Sequence, residues 1–201
     1  MCESVFDYAC PKYNLYVRNR RLLERYNGLK LDWLRDSLFF IVLILALVIV
    51  FRFVIGISVV GGESMYPNLM DGDIVVYLRT GKDYRYGDVV SMRVPSGDYY
   101  IKRVIAQGGD TVDLADGSVI VNGEVLDEPW ARGQTETETG TVIFPYAVRE
   151  GNVFVLGDNR TVSLDSRTFG EVNLRQIKGR IILVYSGGSL RRLMREAGGD
   201  S

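Results

Sequence analysis

The stretch GESMYP at residues 62–67 places Ser64 beside a glutamate and a methionine, just after a long apolar run. A serine in a Gly-rich turn ordinarily bonds its hydroxyl to nearby backbone, so its chemistry depends on what else the chain supplies. The 201-residue sequence contains no histidine. That absence excludes Ser-His-Asp and Cys-His hydrolysis, zincin-type metal sites and imidazole acid–base chemistry. Cys2 and Cys10 lie ahead of the apolar run and are unsuited to a structural zinc site. No GxxxxGK[ST] loop, GxGxxG fingerprint or SxxK motif occurs. The expectation is of no metal and no cofactor, with any hydrolytic chemistry left to a hydroxyl, a carboxylate or a lysine.

Beyond residue 54 the lysines are Lys82, Lys102 and Lys178. Lys82 follows Gly81 in a charged loop and Lys178 precedes Gly179 before a strand, so both read as solvated. Lys102 lies in YYIKRVIA, with apolar or aromatic neighbours on both sides. A lysine acts as a general base only when neutral, so its ordinary pKa of about 10.4 must fall by several units. Burial among apolar groups does this by penalising the charged form. In a strand, Tyr100, Lys102 and Val104 share one face. Lys102 is therefore either a strand lysine directed to solvent or a buried base, and serine with lysine is a known variant of the triad logic.

Positioning such groups requires the rest of the chain. From Ser37 to Phe51 the sequence reads SLFFIVLILALVIVF without a charge, and FVIGISVV follows Arg52. A bilayer core needs roughly 20 apolar residues in a helix, which this segment supplies if Arg52 snorkels to the headgroups. The expected organisation is a tail at 1–35, a transmembrane helix at 36–53 and a further domain at 54–201. Lys12, Arg18, Arg20, Arg21, Arg25, Lys30 and Arg35 precede the span, against Glu3, Asp7, Glu24 and Asp32. Basic excess on the inner side predicts a cytoplasmic N-terminus and an extracytoplasmic domain. Both cysteines would then be reduced thiols, and the outer domain can hold no disulfide.

After residue 54 come short apolar or alternating runs: DIVVYL (73–78), DVVSMRV (88–94), YYIKRVIA (99–106), SVIVNGEVL (118–126), NVFVLGD (152–158) and RIILVYS (180–186). Valine, isoleucine and tyrosine dominate them, and Gly, Asn and Asp separate them. They predict a mainly β domain, barrel-like or sandwich-like, with a two-residue hairpin turn on Asn122-Gly123. The polar stretch 131–141 reads as a surface loop. Leu190, Leu193, Met194 and Ala197 recur at helical spacing among arginines, which suits either a short basic helix on a membrane surface or an ordinary tail.

Three blocks in order carry a resemblance. GESMYPNLMDGD (62–73) resembles the SxMxPTL block of bacterial type I signal peptidases, taken as Ser-Met-x-Pro. GDVVSMRVPSGDYYIKRVIAQGGD (87–110) is similar to that family's lysine block, and GDNRTVSLDSRTFG (157–170) to its GDNRxxSxDSRxxG block. The likeness covers most of residues 36–185. It implies a membrane-bound serine endopeptidase that cleaves signal peptides from exported precursors after small-x-small sites. Ser64 would be the nucleophile, Lys102 the general base and Ser163 the residue that hydrogen-bonds and orients the lysine. Asp158, Asp165, Arg167 and Arg103 would be structural, with Arg103–Asp158 and Arg167–Asp165 as ion pairs, and Met65 would line the substrate pocket. The partners implied are exported preproteins and the lipid bilayer of the cell membrane, with no nucleic acid, for a protein acting as a monomer. Two positions depart from the pattern. Asn68 stands where the family has threonine. Gly62 stands where some members carry a serine whose hydroxyl helps the oxyanion hole, which leaves the Ser64 N–H as the main donor.

Overall fold

The computed structural model describes residue 33 and residues 35–94, 97–137 and 142–192. Helix α1, Arg35–Val54, has 20 residues and is long and apolar enough to cross a bilayer. Its large apolar side chains from Leu38 to Phe51 are exposed, which distinguishes it from the core helix of a domain. Its last turn, Val50–Val54, is π-helical. The chain divides into two compact units, residues 1–50 and 51–201, and the strands belong to the second.

The larger sheet is built from β1 (Ile55–Val59), β2 (Ile74–Leu78), β3 (Val89–Arg93), β4 (Tyr99–Gln107), β9 (Asn152–Leu156), β10 (Val172–Asn173), β11 (Ile177–Ser186) and β12 (Ser189–Arg192). Its order is β1-β2-β11-β3-β4-β9-β10, with β12 on β11. The smaller sheet joins β5 (Thr111–Ala115), β6 (Ser118–Val121), β7 (Glu124–Val125) and β8 (Tyr146–Ala147) in the order β7-β6-β5-β8. All these strand pairs are antiparallel. A four-residue helix, α2 (Ser166–Phe169), follows β9. The fold is mainly β.

Side-chain alternation explains the strands. In β2, Val75 and Tyr77 are buried while Ile74 is exposed, the period of two expected of a half-covered strand. β3 and β9 are covered on both faces, and VFVL in β9 reads as the continuous apolar run such a strand requires. Strand β4 contributes to all three hydrophobic clusters: Ile101 to one with Met65 and Val75, Val104 to one with Val90 and Val155, and Ile105 to one with Val112 and Phe154. The lysine-bearing strand thus lies where the three cores meet.

The hairpin turn is as the Asn-Gly pair predicts. Asn122 and Gly123 have φ of 54° and 87°, and Val121 faces Glu124 across the ladder. One other reading changes, and one falls mostly outside the described residues. The first half of 131–141 is not a plain surface loop: Thr135 is buried, and Arg132 bridges to Asn159. At the C-terminus, Ser189–Arg192 pairs with β11 as a strand rather than starting a helix, and residues 193–201 lie outside the described residues. Gly187 and Gly188, with φ of 55° and 85°, make the turn that returns the chain onto β11.

Gly179 sits in β11 at a register shift, and a Cβ there would lie 2.1 Å from the Leu78 carbonyl oxygen. Gly179→Ala is expected to destabilise by about 1–3 kcal/mol, lowering the melting temperature by roughly 2–10 °C. Gly61→Ala, with nothing within 4 Å of its added Cβ, should melt like the parent in the same detergent scan.

Candidate active site

Ser64 occupies the loop between β1 and β2. Bonds from Val60 N to Asp73 O (2.8 Å) and from Gly72 N to Val60 O (3.0 Å) close its base. Within it Tyr66 N donates to Glu63 O and Leu69 N to Met65 O, which curls the chain tightly after the serine. Met65 and Leu69 are buried and root the loop in the core. From the other side, Asn159 N donates to Ser64 O (3.0 Å) and its side-chain amide to Glu63 O (3.2 Å). The backbone on either side of the serine is therefore held by the GDNR segment.

Lys102 is 3% exposed, and its Nζ lies 2.7 Å from Ser64 Oγ. Burial is the main influence on its pKa, which falls from 10.5 to about 8; the Asp165 and Asp158 carboxylates pull upward against that, while Arg167 adds to the lowering. The solvent-directed alternative is thereby excluded. Beside the pair runs a cleft of about 450 Å³, walled by Val59, Val60, Ile101, Val162 and Leu164 with Ser64 and Lys102 in its lining. Met65 also lines it, although its side chain belongs mostly to the core beneath.

Behind the lysine strand lies a buried polar network. The Arg103 guanidinium meets both Asp158 oxygens (2.8 and 2.7 Å) and the Gly87 carbonyl (2.9 Å), with its carbon 4.4 Å from the Trp130 ring centre. Arg167 meets both Asp165 oxygens (2.9 and 3.0 Å) and the carbonyls of Arg160 and Ser163. Asp165 also N-caps α2 and accepts from Gly157 N. Arg160 is bound by Glu128, by the Gly157 carbonyl and by Thr135. Every arginine of the network is thus paired and satisfied, as buried charge requires.

With this geometry in view, known proteins give a consistent answer. The family described as "Signal peptidase, peptidase S26" matches residues 31–186. The chain belongs to the signal peptidase family, peptidase S26. It is 36% identical over 153 residues to a signal peptidase IB of Staphylococcus aureus (strain COL), covering 67% of this chain and 80% of that one. Signal peptidase I of Bacillus caldolyticus is 33% identical over 146 residues, covering 66% and 80%. A crystal structure of a signal peptidase I from Enterococcus faecalis V583 aligns with a TM-score of 0.44 at 31% identity, over 50% of this chain and 98% of that one. Membership marks the chain as a serine peptidase, and its apolar helix fits the membrane anchoring of a signal peptidase.

Against the signal peptidase pattern, the two departures and one family position have definite local structures. Gly62 has φ of 82°, and its N–H goes to Asp71 Oδ1 (2.8 Å), so this position adds no side chain to the site. The Ser64 N–H has no acceptor among the described residues. Asn68 is more than a substitute for threonine: its amide donates to Asp158 Oδ2 (2.8 Å) and to Trp130 O (3.0 Å). A hydroxyl has one proton to give, whereas this amide gives two. Ser163 differs from the expectation for it. Its buried Oγ has no hydrogen-bond partner among the described residues, and Lys102 Nζ is not bonded to it. Lys102 Nζ turns to Ser64, while Ser163 packs against Gly157, where even a Cβ would come within 2.1 Å of its oxygen.

Residues that sequence reasoning passed over, Trp130, Asn159, Arg160 and Glu128, complete the site's support; only the Arg and Asn of GDNR lay within a recognised block. Asn68→Ala should destabilise by about 1.5–3 kcal/mol, because it withdraws a donor from a buried carboxylate. Asn68→Thr, with one donor, should fall between the two in chemical denaturation.

Proposed function

We propose that this signal peptidase cleaves signal peptides from exported precursors after small-x-small sites, with Ser64 as nucleophile and Lys102 as general base. The observation that carries the reading is the 2.7 Å approach of Lys102 Nζ to Ser64 Oγ inside a buried setting that lowers the lysine pKa to about 8. Neutral Lys102 accepts the Ser64 proton as Oγ attacks the carbonyl carbon after the small residue. The Ser64 N–H, without an acceptor among the described residues, is the donor for the oxyanion. Protonated Lys102 then gives its proton to the departing amine, which leaves an ester on Ser64. Water, deprotonated by Lys102, attacks that ester and frees the serine.

The cleft, walled in part by Val59, Val60, Ile101, Val162 and Leu164, suits an extended chain with small side chains, and β1 at the end of the sheet beside it suits backbone pairing. The α1 helix would lie in the bilayer, with the N-terminal tail cytoplasmic and the β unit extracytoplasmic. Ser64 lies ten positions beyond Val54, which limits the reach from the end of the span to about 33 Å. Signal peptides present their cleavage sites at that depth, just beyond an apolar segment.

Purified enzyme should cut a peptide after Ala-x-Ala, and Ser64→Ala should not, while keeping its fold. Activity should rise with pH on a limb centred near 8, because the working form is the deprotonated lysine. Lys102→Arg should be inactive at every pH, since a guanidinium stays charged, whereas Lys82→Ala should keep the parent rate. An active Lys102→Arg would refute the dyad. For topology, protease added to cells stripped of any outer barrier should reach epitopes after residue 60 and spare Cys2; the reverse pattern would refute the orientation.

A further inference from the structure

Arg132 stands apart from the arginines around it. Arg103, Arg160 and Arg167 are each paired with a carboxylate. The Arg132 guanidinium has no such partner among the described residues and lies over the Tyr66 ring, 4.7 Å from its centre. Its backbone is nevertheless fixed: Arg132 N donates to Asp158 O (2.7 Å), and Arg160 N donates to Arg132 O (2.9 Å). Arg132 also bridges Asn159, whose N–H holds the Ser64 carbonyl. Bridged strands lie about 4.8 Å apart, so the Arg132 backbone is roughly 8–10 Å from that of Ser64, the span of two to three extended residues.

Neither Tyr66, Arg132 nor Asn159 lines the apolar cleft. In the function proposed above, on which this inference rests, the cleft receives residues before the scissile bond. Residues after it leave past Ser64 on the other side. We propose that Arg132, stacked on Tyr66, forms a subsite for an acidic side chain two to three residues beyond the scissile bond, in the mature part of the substrate. Stacking presents the guanidinium edge, whose N–H groups match a carboxylate in pairs.

The test uses detergent-solubilised full-length enzyme and peptides sharing one Ala-x-Ala site, with Glu, Gln or Lys at the second and third positions after it. For the parent enzyme, kcat/KM with Glu should exceed that with Gln by about three- to fivefold, as for a partly exposed ion pair. Lys should fall below Gln, and the spread should shrink as salt is added. Arg132→Gln should bring the Glu/Gln ratio to one, and Arg132→Glu should favour Lys. Each ratio is measured on one preparation, so a partial loss of folded enzyme cancels. A parent enzyme that cuts the Gln peptide yet ignores charge, or an Arg132→Gln variant that keeps the preference, overturns the subsite and leaves the signal-peptide reading intact. A parent enzyme that cuts none of the three overturns both.

Discussion

Four stretches of chain meet at Asp158. Arg103 brings β4, Asn68 brings the loop of the nucleophile, and the backbone of Asp158 receives the N–H of Arg132 from the segment after Trp130. The carboxylate itself comes from the GDNR turn, whose next residue holds the Ser64 carbonyl. Leaving one member of such a buried pair alone costs about 3–5 kcal/mol, although replacing the whole pair by apolar groups need cost nothing. Its contribution is therefore to arrangement more than to bulk stability. With both oxygens of Asp158 occupied, serine and lysine belong to segments that cannot slide independently.

The lysine's environment follows from topology. Strand β4 sits between β3 and β9, and its side chains enter three separate hydrophobic clusters. A cation on such a strand loses most of its hydration. Asp165 and Asp158 work against this loss, so the outcome is a balance between apolar walls and nearby carboxylates. The ion pairs with Arg103 and Arg167 temper those carboxylates.

The strands were legible because valine and isoleucine alternate in short runs bounded by Gly, Asn and Asp, and the Asn122-Gly123 turn because few other pairs adopt two positive φ values. Lys102 stood out as a lysine with apolar or aromatic neighbours in a chain without histidine, but the pairing with Ser64 came from the resemblance of three blocks in order. What escaped the sequence depended on distant partners. The two contacts of the Asn68 amide are 62 and 90 residues away, and Thr135 is drawn inward by Arg160, 25 residues on. Neither leaves a periodic trace. Near the C-terminus two glycines turn Ser189–Arg192 back onto the sheet, while Leu193, Met194 and Ala197 lie outside the described residues. A motif also says nothing of where a hydroxyl points, as Ser163 illustrates.

A lysine with a pKa of about 8 is neutral in roughly one molecule in ten at pH 7. In the proposed mechanism the protonated form does not attack, so below that pKa the rate depends on the loss of one proton. Deeper burial would raise the competent fraction, but a weaker base also pulls less on the serine proton, and the two effects oppose each other. The rate of such an enzyme would follow the acidity of its surroundings, through the hydration of a single side chain.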